Sequence, residues 1–173
     1  MSKIIKCELG TSSIDNAIKE LKDYKQSIND KLNALVSALM QEGIEVARAS
    51  LATTVGDSVN GAIEGFGVNS DGNIVTAFVA LTGPDALFIE FGAGIHYNNG
   101  NVNPKASEFG YGVGTYPSEH PPNRAINPGY WWYKDDAGDI HLSLGTQASM
   151  PIYHAAENAR NTAIKKAIEI FRS

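Results

Sequence analysis

The sequence predicts an α+β fold: a long N-terminal helix and a C-terminal helix packed on an antiparallel sheet built from two hairpins, with a long loop inserted between them. Three observations carry this reading. Apolar residues recur at helical spacing from Ile14 to Leu51 and again from Ile152 to Phe171. Between these stretches lie two pairs of short strand-like runs, each pair joined by a turn rich in Asp and Gly. The 35 residues from 95 to 129 have neither period.

Ile4, Cys7 and Leu9 stand among Lys3, Lys6 and Glu8, a short extended segment ended by Gly10, so residues 1–11 are expected to form an edge strand or an arm. Ser12 precedes Asp15 by three residues, a variant of the capping box. Ile14, Ile18, Leu21, Ile28, Leu32, Leu35, Leu39, Val46 and Leu51 then follow at spacings of three, four and seven, predicting an amphipathic helix to about Thr53. Gly43 costs about 1 kcal/mol in a helix interior and marks an expected bend or break. Lys19, Lys22, Asp23 and Lys25 form its solvent face.

Beyond Ser58 the period changes. Val59, Ala62, Phe66 and Val68 are interleaved with Gly61, Gly65 and Gly67; Asn69-Ser70-Asp71-Gly72 follows, then the β-branched run 74–81. Asp-Gly provides the backbone freedom of a hairpin turn, and the glycines of the first strand point to a bulge or to close packing by a helix. Residues 85–91 (DALFIEF) are a short apolar element closed by Gly92-Ala93-Gly94.

The insertion 95–129 is rich in Gly, Asn and Pro yet carries Tyr97, Phe109, Tyr111 and Tyr116, too many aromatics for a flexible linker. It is expected to have no core of its own and to order against another molecule. Residues 130–134 and 140–144 flank Asp135-Asp136-Ala137-Gly138-Asp139, a second hairpin signature. Pro151 suits a helix start, where its missing N–H would be unpaired anyway, and the Ile152, Ala156, Ala159, Ala163, Ala167, Phe171 series continues the helix. The 173 residues read as a single domain.

Nineteen acidic residues, as Asp and Glu together, against fourteen Lys and Arg give a net charge of -5, which argues against general affinity for nucleic acid or anionic lipid. The mixed charge runs at 19–25 and 160–166 read as solvated helix faces. The lone Cys7 allows no internal disulfide, which fits assembly in a reducing cytoplasm. No apolar run near the start is long enough for a signal peptide, and none elsewhere approaches the ~20 residues of a membrane span.

His96, His120, His141 and His154 show no metal-ligand spacing. Asp135, Asp136 and Asp139 with His141 form the densest acidic cluster, but Asp is favoured in a hairpin turn for its own side-chain-to-backbone bonds. Glu90, between Ile89 and Phe91, is either an outward or hydrogen-bonded structural carboxylate or a general acid or base. Gly110, Gly112 and Gly114 lack the strand-to-helix context of a phosphate loop, and no nucleophile sits in a GxSxG setting. No catalytic residue, metal or cofactor is expected.

Two segments stop looking generic when taken together. Phe88-Ile89-Glu90-Phe91-Gly92-Ala93-Gly94 resembles the (V/I)EFGT core of the head–tail joining, or tail-completion, family of tailed bacteriophages and related particles. Gly145-Thr146-Gln147-Ala148-Ser149-Met150-Pro151-Ile152-Tyr153 resembles the Gly-x-x-Ala-x-Pro-hydrophobic-aromatic element that opens that family's C-terminal helix. Ala93 replaces the family's usual Thr, and the insertion between the motifs is longer than in many members.

The resemblance implies a non-enzymatic virion protein of the tail or neck, assembled in the bacterial host's cytoplasm and sitting in a homo-oligomeric ring. Six-fold symmetry is the expectation and twelve-fold the alternative. Its neighbours would be the tail tube or tail terminator and the head connector. Glu90, Phe91, Gly92, Gly94, Gly145, Pro151 and Tyr153 would form its structural motif. Tyr97, Phe109, Tyr111, Tyr116, Trp131 and Trp132 would make contacts between subunits. Two alternatives remain open: a particle-associated cell-wall hydrolase, and a small carbohydrate- or peptide-binding module built on Trp131-Trp132.

Overall fold

Helix α1 (Thr11–Leu51) runs unbroken for 41 residues in the computed structural model, a rod of about 60 Å. The structure describes residues 4–6, 8, 10–56, 60–71, 74–94, 102–113, 130–134 and 137–172. After α1 come strands β1 (Ala62–Asp71) and β2 (Ile74–Thr82), the short helix α2 (Ala86–Phe91) and strand β3 (Ala93–Gly94). A 3-10 turn (Ala106–Phe109) follows, then β4 (Gly112–Val113), β5 (Trp131–Lys134), β6 (Ile140–Ser143) and helix α3 (Pro151–Arg172).

The α+β class holds, with both long helices where the apolar periodicity puts them. β1 and β2 pair antiparallel from Ala62↔Thr82 to Asp71↔Ile74, and β5 and β6 from Trp131↔Ser143 to Lys134↔Ile140. Each hairpin is a two-stranded sheet of its own, and β3 with β4 makes a third, parallel pair. The hairpins stay separate because the chain leaving β6 pairs at Thr146 with Gly56 and Ala93, not with β1 or β2.

The core forms where α1, α3 and the first hairpin meet. Ile44 and Ala47 of α1, Ile63 of β1 and Ala155 of α3 are its buried members, with Met40, Leu51, Val79, Leu81 and Ile152 packed around them. α1 and α3 run antiparallel. The Ser50 hydroxyl meets His154 Nδ1 at 2.7 Å near one end. Glu42 takes Lys166 at 3.3 Å and the Thr162 hydroxyl at 3.2 Å midway. Lys31 Nζ donates to the Phe171 carbonyl at 3.4 Å near the other end. Upstream of that contact α1 runs on past α3, and most of residues 11–27 are exposed.

Gly43 does not break α1. It is buried, and a Cβ there would sit 3.4 Å from Val79 Cγ2 and 3.9 Å from Ala155 Cβ, so the glycine is where sheet and helix come closest. Gly65 does the same from the sheet side, since its Cβ would overlap Ile44 Cδ1. A register shift between Phe66 and Asn69 is the bulge expected of that glycine-rich strand. At the other end of α1 the expected Ser12 cap is absent. Gly10 is the N-cap without a side-chain bond, while the Ser13 hydroxyl accepts from the Glu8 amide at 2.9 Å. Ile4–Lys6 and Glu8 lie outside the strands, and residues 1–3, 7 and 9 of the same segment lie outside the described residues. The turn positions Gly72, Asp135 and Asp136 lie outside the described residues, as does Cys7.

Ile44→Ala should cost about 2–5 kcal/mol in urea unfolding, the penalty of a cavity among close-packed neighbours. Ile74→Ala, at an exposed strand end, should stay within about 0.5 kcal/mol.

Candidate functional site

The two motif segments, some sixty residues apart in sequence, meet in space. Helix α2 presents Glu90 inward while Gly92, at φ 76°, turns the chain out of the helix and donates its amide to the Phe88 carbonyl at 2.7 Å. Ala93 and Thr146 then exchange both backbone hydrogen bonds, at 2.9 and 3.1 Å. On the opposite side of this second segment the Gln147 amide donates to the Val55 carbonyl at 2.8 Å. Residues 145–149 are thus threaded between the end of α1 and the α2–β3 corner.

Glycine is required at this crossing. Gly145 has φ 96°, and a Cβ on it would run into the Ala93 carbonyl oxygen. Gly56, at φ 131°, would collide with the Gly145 carbonyl in the same way. Ser149 closes the crossing, its amide donating to the Ile89 carbonyl at 2.9 Å and its hydroxyl meeting that of Thr54 at 2.8 Å.

The next residues open α3. Pro151 occupies the first helical position, and the amides of Ile152 and Tyr153 have no acceptor within the helix. Glu90 supplies it: Oε2 accepts from the Ile152 amide at 2.9 Å and Oε1 from the Tyr153 amide at 3.0 Å. Met150, whose carbonyl accepts from the His154 amide at 3.0 Å, stands at the N-cap with no side-chain acceptor of its own. Its φ of 54° is unusual for a non-glycine residue, and such a conformation persists where its surroundings hold it. A carboxylate at a helix N-terminus also meets the positive end of the helix dipole.

A third donor completes the cap. Asn103, itself buried, donates Nδ2 to Glu90 Oε1 at 2.9 Å and turns its Oδ1 to accept from the Lys105 amide at 2.9 Å. Glu90 is 8% exposed, with both oxygens engaged by neutral N–H donors. Of the two sequence readings, this geometry is that of the hydrogen-bonded structural carboxylate. Its roles are to cap α3 and to fix the insertion against α2.

Residues 102–113 therefore depart from the expectation for the insertion. Phe109 stacks on Phe91 at 5.1 Å between ring centroids, and Tyr111 lies 5.9 Å from Phe91 and 5.7 Å, edge-on, from Phe88. The Gly112 amide donates to the Gly92 carbonyl at 3.1 Å. This part of the loop packs on its own chain because α2 offers aromatic faces and a carboxylate that needs a donor. Phe109 nonetheless remains 60% exposed on its outer side.

Of the other site residues read from sequence, Gly94 pairs with Val113, Tyr153 is half-buried, and Trp132 is exposed on β5. Trp131 pairs through its backbone with Ser143, its side chain lying outside the described residues together with Tyr97 and Tyr116. His96 and His120 are outside them too; His154 binds Ser50 and His141 is exposed on β6. Among the described residues no group of His, Cys, Asp and Glu is placed to hold a metal ion, and no helix is long and apolar enough to cross a membrane. Sequence reasoning missed Asn103 and Gly56, and it gave Thr146 and Met150 no role of their own within the second motif. Only the Asn-Pro pair at 103–104 carried a local signal, that of a turn.

Glu90→Gln should destabilise by about 1–3 kcal/mol, because an amide nitrogen would face one of the backbone donors. In a double-mutant cycle, Glu90→Ala and Asn103→Ala should show a coupling of about 0.5–3 kcal/mol. Independent effects would mean the Asn103 contact does not bear on stability. Gly145→Ala should cost more than about 2 kcal/mol, since positive φ and the collision with Ala93 act together.

Compared with protein families, with curated proteins and with solved structures, the chain finds no match.

Proposed function

We propose that this chain is a structural virion subunit of a tailed phage or phage-tail-like particle, joining head to tail or completing the tail as one member of a closed ring. The observation that carries the reading is the Glu90 cap. The two segments that resemble the tail-completion family are the two whose backbones cross at Ala93 and Thr146, and the carboxylate of the first holds the helix opened by the second. A motif pair that serves such a purpose has no need of solvent access or of a substrate, and this one has its polar groups turned inward.

The surface supports an assembly role. Phe66 and Phe78 are direct cross-strand partners on the outer face of the first hairpin, and both are exposed. Phe109 and Trp132 add further exposed aromatics. Exposed apolar surface of this kind is characteristic of protein–protein contacts, and two different patches meeting between identical subunits generate rings when the rotation closes.

Electron microscopy of particles carrying the tagged protein should place it on the tail axis, at the tail end or the neck, with six-fold symmetry. Attachment away from the axis would contradict the reading. Phe66→Glu combined with Phe78→Glu should leave the isolated subunit folded by circular dichroism and yield unjoined heads and tails. Digestion of peptidoglycan by the purified protein, abolished by Glu90→Gln in a variant that still folds, would favour the hydrolase instead.

A further inference from the structure

The N-terminal half of α1 has no covering element, and its sequence states what would cover it. The apolar residues Ile14, Ile18, Leu21 and Ile28 are spaced four, three and seven apart, Leu32, Leu35 and Leu39 continue at four, three and four, and the polar Thr11 and Lys25, the latter expected from sequence on the solvent face, fill the remaining places of the same repeat. A strict repeat of 3.5 residues marks the seam of a coiled coil, whereas a helix lying on a globular core follows 3.6. The C-terminal part of the seam is half-buried within the subunit, but α3 ends beside Lys31. Upstream, Ile14, Ile18 and Leu21 are 44%, 45% and 56% exposed. A groove lined by Leu21, Tyr24, Lys25, Ile28, Asn29 and Leu32 runs along this stretch.

We propose that residues 11–28 pair with the same residues of a second copy of this chain as an antiparallel two-helix coiled coil. One register satisfies the whole segment, with Ile18 opposite Leu21 of the second copy, Ile14 opposite its Lys25, and Thr11 opposite its Ile28. The two-fold axis repeats each layer, and the paired length lies upstream of Lys31, where α3 reaches only the Asp23, Gln26 and Ser27 side of α1 through Ile170. Charge and size agree. The flanking position Asp15 faces Lys22 of the second copy, and on the other flank small Ala17 faces Tyr24. Asp15 is also the acid nearest to Lys25 of the second copy, whose stem covers Ile14 while its ammonium reaches outward.

A parallel pair is disfavoured by the same residues, because it would place Lys25 directly against its own copy in the seam. The proposal does not rest on the virion reading. An isologous contact closes at two copies, and it leaves the aromatic surfaces of the first hairpin and of Phe109 free.

The test uses the full chain in a Cys7→Ser background. Ile14→Cys mixed with Lys25→Cys should give disulfide-linked dimers under mild oxidation, while either variant alone should not. Sedimentation equilibrium should show self-association that Leu21→Asp abolishes, the near-ultraviolet circular dichroism of the core staying unchanged. Linkage of Ile14→Cys to itself would mean a parallel pair and overturn the proposal. A chain that stays monomeric up to its solubility limit would overturn it as well, and would assign the seam to a different protein. Retention of the mixed cross-link in the Leu21→Asp background would equally contradict it.

Discussion

A helix that begins with proline in the interior of a protein still has amides to satisfy, and the carboxylate that satisfies them here comes from another helix. That single constraint orders much of the fold's lower half. Glu90 can reach Ile152 and Tyr153 only if α2 ends abruptly at Gly92, if Gly145 and Gly56 let three backbone segments lie in contact, and if Met150 takes a left-handed conformation ahead of Pro151. An unpaired buried carboxylate would be costly, so each of these otherwise unfavourable local choices is held by the others.

The cap also explains why part of a glycine- and proline-rich insertion is ordered on its own chain. Two helix amides leave the Glu90 carboxylate with acceptor capacity to spare, and the Asn103 amide takes it, bringing Phe109 and Tyr111 onto Phe91 and Phe88. Apolar surface is left over on the outer face of the first hairpin, along the upstream half of α1, on the second hairpin at Trp132 and Ile140, and on α3 at Ile164 and Ile168. The polar groups around Glu90 and Asn103 are thus paired, the Asn158 side-chain nitrogen is buried without a partner among the described residues, and apolar side chains stay exposed on several faces.

What was legible in the sequence was what local chemistry controls. The three-and-four spacing of apolar residues in α1 and α3, the Asp-Gly turn signature, the bulge-forming glycines and Pro151 at a helix start all rest on interactions within a few residues. The illegible features are tertiary. A mid-helix glycine looks the same whether it bends the helix or lets a strand approach, and the packing of Gly43 against Val79 decides for the second. DALFIEF is too short for its period to separate helix from strand. Asn103 carries a turn signal, but nothing in its neighbourhood tells that its amide is meant for a carboxylate thirteen residues away. Glu90 was legible as an anomaly because a charge in an apolar run needs partners; who those partners were depended on the crossing at Thr146.

The claim that a carboxylate from α2 holds the start of α3 can be read at single amides. First-turn amides of a helix ordinarily exchange with solvent quickly, since no carbonyl precedes them at the right distance. Site-resolved hydrogen exchange by nuclear magnetic resonance should find Ile152 and Tyr153 strongly protected in the native chain. That protection should fall in Glu90→Ala under conditions where amides in the middle of α3 remain protected. Rapid exchange of both amides in the native chain, at the rate of a free helix end, would contradict the account.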